Sequence, residues 1–211
     1  MNPEPTSRPY RSTLRQEQAR RTRAAVLDAA RRLFCTDGYA ATTMRAIAAE
    51  AGVSVETVHA QGGKAALLLA VVDRAIAGDD EPVPLLERPP LARVLQADDP
   101  RQKLALLREA VVEGLEPVVP VFRAFQQAAA ADPAVAPAWR EYEQRRHEDF
   151  ARIAATFAAA LRPGLDAAGA ADVLWTVLSP QVIDMLVGQR GWTVPAYADW
   201  VADTLERLLL G

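Results

Sequence analysis

Residues 43–59, TMRAIAAEAGVSVETVH, constrain the fold more than any other stretch of the chain. Met44, Ile47, Ala48 and Ala51 recur at i, i+3, i+4 and i+7, which is one apolar face of a helix. Gly52 follows where the chain must take positive φ, a conformation glycine adopts without steric cost. Val53 supplies an apolar plug, and Ser54 is a strong N-cap for a second helix. A helix, a glycine turn and a capped helix make the sequence form of a helix-turn-helix. That unit is built to set its second helix in the major groove of DNA.

The rest of the chain also reads as helical, with no strand, internal repeat or glycine-rich phosphate loop. Residues 1–14 are expected to form a disordered basic tail. A first helix is expected from Gln16 to Thr36, with Val26, Ala29, Ala30, Leu33 and Phe34 on one face and Asp37-Gly38 ending it. After the helix-turn-helix, Gly62-Gly63 breaks the chain and Lys64 opens a helix carrying Leu67, Leu68, Val71, Val72 and Ile76. Gly78-Asp79-Asp80 with Pro82, Pro84, Pro89 and Pro90 reads as a linker. A short helix is expected over Leu91–Ala97 and a longer one after Asp99-Pro100, with proline at its first position. Pro117 and Pro120 should split that helix. Asp132-Pro133, Pro163-Gly164 and Pro195 mark later boundaries, and Pro180 sits inside an apolar stretch from Asp166 to Gln189. The predicted fold class is all-α. An N-terminal helix-turn-helix three-helix domain (15–62) is joined by a connecting helix (63–78) to a C-terminal helical domain (79–211), with about nine helices in total.

Charge divides the same way. There are ten basic and six acidic residues through Lys64, a net of +4, and fourteen against twenty-one after it, a net of −7. Arg8, Arg11, Arg15, Arg20, Arg21 and Arg23 precede the first apolar face. A basic front and an acidic back suit a DNA-binding module attached to a unit that does not bind DNA. The plainer reading is a solvated basic tail. Lysine occurs only at Lys64 and Lys103. The longest uninterrupted apolar run, Ala65–Val72, is eight residues, so no membrane span of roughly 20 residues is expected. No apolar leader opens the sequence. The single cysteine, Cys35, forms no intrachain disulfide and agrees with a reducing, cytoplasmic setting. Two histidines and one cysteine leave no metal-spaced cluster and no nucleophile elbow, so neither catalysis nor a cofactor is expected. Glu109, Glu113 and Glu116 with His147 imitate a helical metal site, but i, i+4 spacing on a solvated face explains them better.

Residues 22–76 resemble the N-terminal domain of TetR-family transcriptional regulators. The resemblance rests on LDAARRLF, then DGYAATTMRAIAAEAGVS, then Thr57-Val58, then Lys64 with leucines after it. The stretch from Asp172 to Leu210 is similar to the last two helices of many members. The chain departs from the family at the exit of the second helix, His59-Ala60-Gln61-Gly62-Gly63, which lacks the usual aromatics. The resemblance implies a DNA-binding regulator, a repressor released from its operator by a small-molecule effector, acting as a homodimer on double-stranded DNA. By position, the resemblance puts Thr43, Arg45, Ser54, Val55, Glu56, Thr57, His59, Gln61 and Lys64 at the DNA. Chemistry allows Glu56 to accept from cytosine, Gln61 to pair with adenine and Val55 to pack on a thymine methyl. Glu56 also suits the positive end of a helix dipole, and His59 also reads as a partly packed surface residue. Phe122, Phe125, Trp139, Tyr142, His147 and Trp175 are candidates for an effector pocket, against which stands simple core burial. Arg145, Arg146 and Glu148 beside His147 offer polar specificity to such a pocket, against which stands the simpler reading of a solvated charged face. Val173, Leu174, Val177, Leu178, Val182, Met185 and Leu186, with Trp200, Val201, Leu205, Leu208 and Leu209, suit a four-helix dimer interface or burial within one chain. Two rival functions remain: a DNA-binding helical protein without an effector, and a helical ligand carrier or enzyme with an incidental helix-turn-helix.

Overall fold

The computed structural model describes residues 9–77, 84–114 and 118–210, with side chains placed from residue 15 and not at residue 77. The described residues divide into two compact units, with the boundary between Val71 and Val72. All regular structure in them is helical.

The first unit holds α1 (Pro9–Thr36), α2 (Met44–Ala51), α3 (Val55–His59) and the start of α4 (Lys64–Ala77). α1 begins at Pro9, earlier than the expected start near Gln16. Alanine and arginine are good helix formers, so nothing local stops the helix where apolar periodicity stops. Residues 1–8 of the expected tail lie outside the described residues. The core of this unit is built from Val26, Leu27, Ala29, Ala30 and Phe34 of α1, with Tyr39, Ile47, Ala48 and Val58. Phe34 and Tyr39 meet with ring centroids 5.6 Å apart. Arg32 donates to Glu50 at 2.8 Å, an exposed ion pair between α1 and α2.

The second unit is a helical bundle. The Leu85–Glu87 turn leads into α5 (Pro89–Gln96), and α6 (Pro100–Gly114), α7 (Val119–Ala131) and α8 (Ala136–Ala155) follow. After them come α9 (Ala167–Val177), α10 (Pro180–Ile183) running on as a π-helical turn over Asp184–Gln189, and α11 (Val194–Leu205) with a similar turn at Glu206–Leu210. Residues 78–83 of the expected linker, Glu116 and Pro117 lie outside the described residues. α5 opens at Pro89, because both prolines of the pair fit the first turn, where no amide hydrogen is needed. Asp99 accepts from the amides of Arg101 and Gln102 at the start of α6. Asp166, Ser179 and Thr193 cap α9, α10 and α11 through their side chains. The core joins Val94, Leu104 and Leu107 to Ile153, Phe157, Leu174, Tyr197, Val201 and Leu205. The Tyr197 hydroxyl donates to the Val177 carbonyl at 2.9 Å. Arg162 donates through its amide to Leu209 and through Nε to Leu208, both at 2.8 Å. It thereby satisfies carbonyls that a helix end leaves without partners.

The helical stretch Ala167–Gln189 is 23 residues long with a mean hydropathy of 1.3 in its most apolar window, and it matches a membrane span by length and composition alone. No uninterrupted run reveals this, because Asp172 and Asp184 divide the stretch into short apolar pieces. The Ser179 cap and Pro180 also break it into two helices. Only 39% of that window is buried, and Met185, at 55% exposure, stands out among the exposed large apolar side chains. These are residues expected to serve a dimer.

Candidate DNA interface and effector site

Each junction of the helix-turn-helix follows from one residue. Thr43 has extended φ,ψ and its Oγ accepts from the Ala46 amide at 3.1 Å, which opens α2. Gly52 closes α2 at φ 66°. Its amide donates to Ala49 at 3.3 Å and the Val53 amide donates to Ala48 at 3.0 Å, the paired bonds of a Schellman C-cap. Ser54 Oγ then accepts from the Thr57 amide at 3.2 Å and opens α3. Ile47 and Val58 are fully buried, and Met44 and Val53 half-buried, so the predicted core of the motif is assembled.

A Cβ on Gly52 would meet nothing within 4 Å, so any penalty for a side chain there is one of backbone conformation. Gly52→Val is therefore expected to destabilise the first unit by about 1–3 kcal/mol. Thermal denaturation followed by circular dichroism reads this, and an unchanged midpoint would remove the left-handed cap from the account.

The nine residues assigned to DNA fall into two groups. Thr43, Arg45, Ser54, Glu56 and His59 are exposed. Val55, Thr57, Gln61 and Lys64 are half-buried. Ser54 and Thr57 share a hydroxyl hydrogen bond of 3.1 Å, so both take part in the cap as well as facing outward. The Glu56 carboxyl is held below the usual carboxylate range, first by its own backbone N–H, then by Ser54, with His59 adding attraction. Glu56 thus complements the helix start and remains exposed. Lys64 is not a bare surface cation. Its Nζ donates to the Ala40 carbonyl at 3.2 Å and lies 4.3 Å from the centroid of the Tyr39 ring. Tyr39, which the sequence presents only as part of a longer motif, thus gives the start of α4 an aromatic seat. Its signal was its place directly after the helix-ending Gly38. Of the basic front, Arg20 and Arg21 both pair with Glu17, at 3.1 and 3.2 Å.

The six effector candidates also separate. Phe122 and Phe125 of α7 are buried and meet Trp139 and Tyr142 of α8. The Phe122–Tyr142 and Phe125–Trp139 centroids are 5.1 and 5.0 Å apart. Burial pushes the Tyr142 hydroxyl far above its ordinary range, only partly offset by Arg146. His147 and Trp175 form a second group, with centroids 6.2 Å apart. His147 Nε2 lies 2.9 Å from Asp172 Oδ1, and this pair is exposed at 45% and 72%.

Arg146 overturns its reading as part of a solvated face. Its side chain is only 9% exposed and bonds Glu143 at 2.9 Å, and Glu143 itself is 17% exposed. Arg146 also donates to the Trp175 carbonyl at 2.9 Å. Its guanidinium carbon lies 4.9 Å from the Trp175 ring and 5.5 Å from the Phe150 ring. Sequence spacing held the clue, since Trp139, Tyr142, Arg146 and Phe150 follow one another at helical intervals along α8. Glu109 pairs with Arg93 at 3.2 Å, and among the described residues no group of His, Cys, Asp and Glu is arranged to hold a metal ion.

A helix-turn-helix carried on one helical unit is followed in the chain by a second, larger helical bundle. Residues 26–71 match the family described as bacterial regulatory proteins, tetR family. The chain carries that family's N-terminal domain, and the fold of the chain is that of TetR-family regulators. No curated protein matches the chain. Among solved structures, it is similar to NalD of Pseudomonas aeruginosa, the secondary repressor of the MexAB-OprM multidrug efflux pump. That likeness has 21% identity and a TM-score of 0.64, covering 92% of this chain and 98% of that one. It is also similar to a putative transcriptional regulator from Saccharomonospora viridis in complex with choline, at 22% identity and a TM-score of 0.67, covering 90% and 97%. The multidrug binding protein EbrR, complexed with malachite green, has 22% identity and a TM-score of 0.55, covering 89% and 97%.

Proposed function

We propose that this chain is a transcriptional repressor that binds an operator as a homodimer in the cytoplasm and releases it when a small-molecule effector occupies the second unit. The observation that carries this reading is the completed helix-turn-helix: a Schellman-capped α2 and a Ser54-capped α3 that leave Arg45, Glu56 and His59 exposed. Thr43, Ser54, Val55, Thr57, Gln61 and Lys64 complete the DNA-facing set. The domains proposed are a helix-turn-helix through residue 62, a connecting helix and an effector-binding and dimerisation domain to residue 211. Dimerisation is supported by the half-buried apolar stretch Ala167–Gln189. An effector is supported by the buried rings of Phe122 and Phe125, the half-buried rings of Trp139 and Tyr142 that meet them, and Trp175 beside His147. The structural neighbours include one in complex with choline and one with malachite green.

Effector and operator oppose each other through linkage: the ligand favours a conformation that fits the operator less well. Titrating operator in the presence and absence of a bound ligand tests this. The fall in operator affinity and the fall in ligand affinity must be equal, and a ligand that binds without either change contradicts the effector reading.

Lys64 is expected to supply a contact to the DNA backbone. Lys64→Ala should weaken binding to all sequences alike and flatten the salt dependence by about one charge. Anisotropy titrations across a salt series check this. A loss confined to one operator sequence would assign Lys64 to base reading instead.

A further inference from the structure

Three polar atoms of the second unit are buried without a hydrogen-bond partner around a single ion pair. They are Glu143 Oε1, Arg146 Nε and Trp175 Nε1. Arg146 holds them together. It bonds the other oxygen of Glu143 and the backbone carbonyl of Trp175, each at 2.9 Å, and its guanidinium faces the rings of Trp175 and Phe150. Buried polar groups in folded proteins almost always have partners, so orphans gathered at one place call for a guest.

The chemistry of that guest can be counted. Arg146 Nε and Trp175 Nε1 each have a hydrogen to give, and Glu143 Oε1 has lone pairs to receive one. A hydroxyl group carries one hydrogen and two acceptor lone pairs. It therefore matches the three atoms one for one. Net charge points the same way. Arg146 and Glu143 already neutralise each other, so a carboxylate or ammonium brought there would be a buried charge without a counter-charge. The surroundings are aromatic: the Arg146 guanidinium lies against the Phe150 and Trp175 rings, and its charge acts on the Tyr142 hydroxyl.

We propose that Glu143, Arg146 and Trp175 form the polar end of the effector site, and that this site takes an uncharged ligand bearing a hydroxyl on an aromatic body. The assignment of the ligand class rests on the effector reading given above. Trp175 was a candidate from sequence and Arg146 was weighed there as a polar contact, whereas Glu143 was not.

Isothermal titration calorimetry of the full chain with benzyl alcohol, benzoate and benzyltrimethylammonium tests the class, since the three share a ring and differ in head group. Benzyl alcohol should bind, and each charged probe should bind at least about 10-fold more weakly. Trp175→Phe keeps a ring but removes the N–H, and should weaken benzyl alcohol about 5- to 10-fold without lowering the melting temperature. Equal or tighter binding of a charged probe overturns the proposal. So does an unchanged affinity in Trp175→Phe. A failure of benzyl alcohol to bind at millimolar concentration also overturns it and leaves water as the partner of the three atoms. Operator affinity measured with each probe separates the two claims. A charged probe that binds and releases operator removes the ligand class and keeps the effector reading. Benzyl alcohol that binds without changing operator affinity does the reverse.

Discussion

Val58→Asp should abolish operator binding and melt the helix-turn-helix. Val58 is fully buried and is the residue by which α3 enters the core of the first unit. A carboxylate there would sit in an apolar core. Burying an unpaired polar group costs about 2–7 kcal/mol, and a charged one more. Whole domains are stable by only about 5–15 kcal/mol, so a unit of this size has little reserve. A five-residue helix has too little hydrogen bonding of its own to survive loss of its anchor. Far-UV circular dichroism should show lost helix, and anisotropy should show no binding at any salt concentration. Val58→Ile is the control, since it stays apolar and should keep most affinity. Full operator affinity in Val58→Asp would mean that α3 does not depend on this contact.

The second large effect lies in the other unit. Arg146→Ala should destabilise it by about 3–5 kcal/mol, because removal of one partner leaves the Glu143 carboxylate buried and unpaired. The packing of Arg146 against Trp175 and Phe150 is lost as well. Pairing Arg146→Met with Glu143→Leu should restore most of the stability, since apolar replacement of a whole buried pair is often neutral or stabilising. Chemical denaturation of the natural chain, the single variant and the double variant reads the difference. Arg146→Met alone separates charge from packing: stability equal to that of the double variant would show that the packing of Arg146, not its charge, is what matters.

The helix-turn-helix was legible because each of its joints depends on one residue with a narrow conformational preference. Thr43, Gly52 and Ser54 are cap residues whose chemistry does not depend on distant neighbours; all three cap, Gly52 and Ser54 as read. Proline marked the starts of α6 and α11 to within a residue for the same reason, whereas Pro89 and Pro90, read as linker, open α5. The start of α1 was not legible. Alanine and arginine favour helix on any face, so apolar periodicity fades several residues before the helix does. Contacts between distant segments were equally hidden. Lys64 reaches Ala40 and Tyr39 across more than twenty residues of chain, and its spacing from α3 carries no sign of that. Arg146 sits in a run of charged residues, REYEQRRHED, that reads as solvated. Only the packing of α8 against α9 turns one of its arginines inward. The aromatic candidates do cluster, but the sequence had no means of dividing Phe122, Phe125, Trp139 and Tyr142 from His147 and Trp175.

The central claim is that residues 43–59 read DNA. Selection of double-stranded fragments by the purified full chain, followed by sequencing, tests it most directly. The account predicts enrichment of an inverted repeat with half-sites about one helical turn, roughly 34–36 Å, apart. The binding should weaken steeply with salt and disappear in Val58→Asp. Absence of any enriched sequence, or enrichment that survives in Val58→Asp, would contradict it.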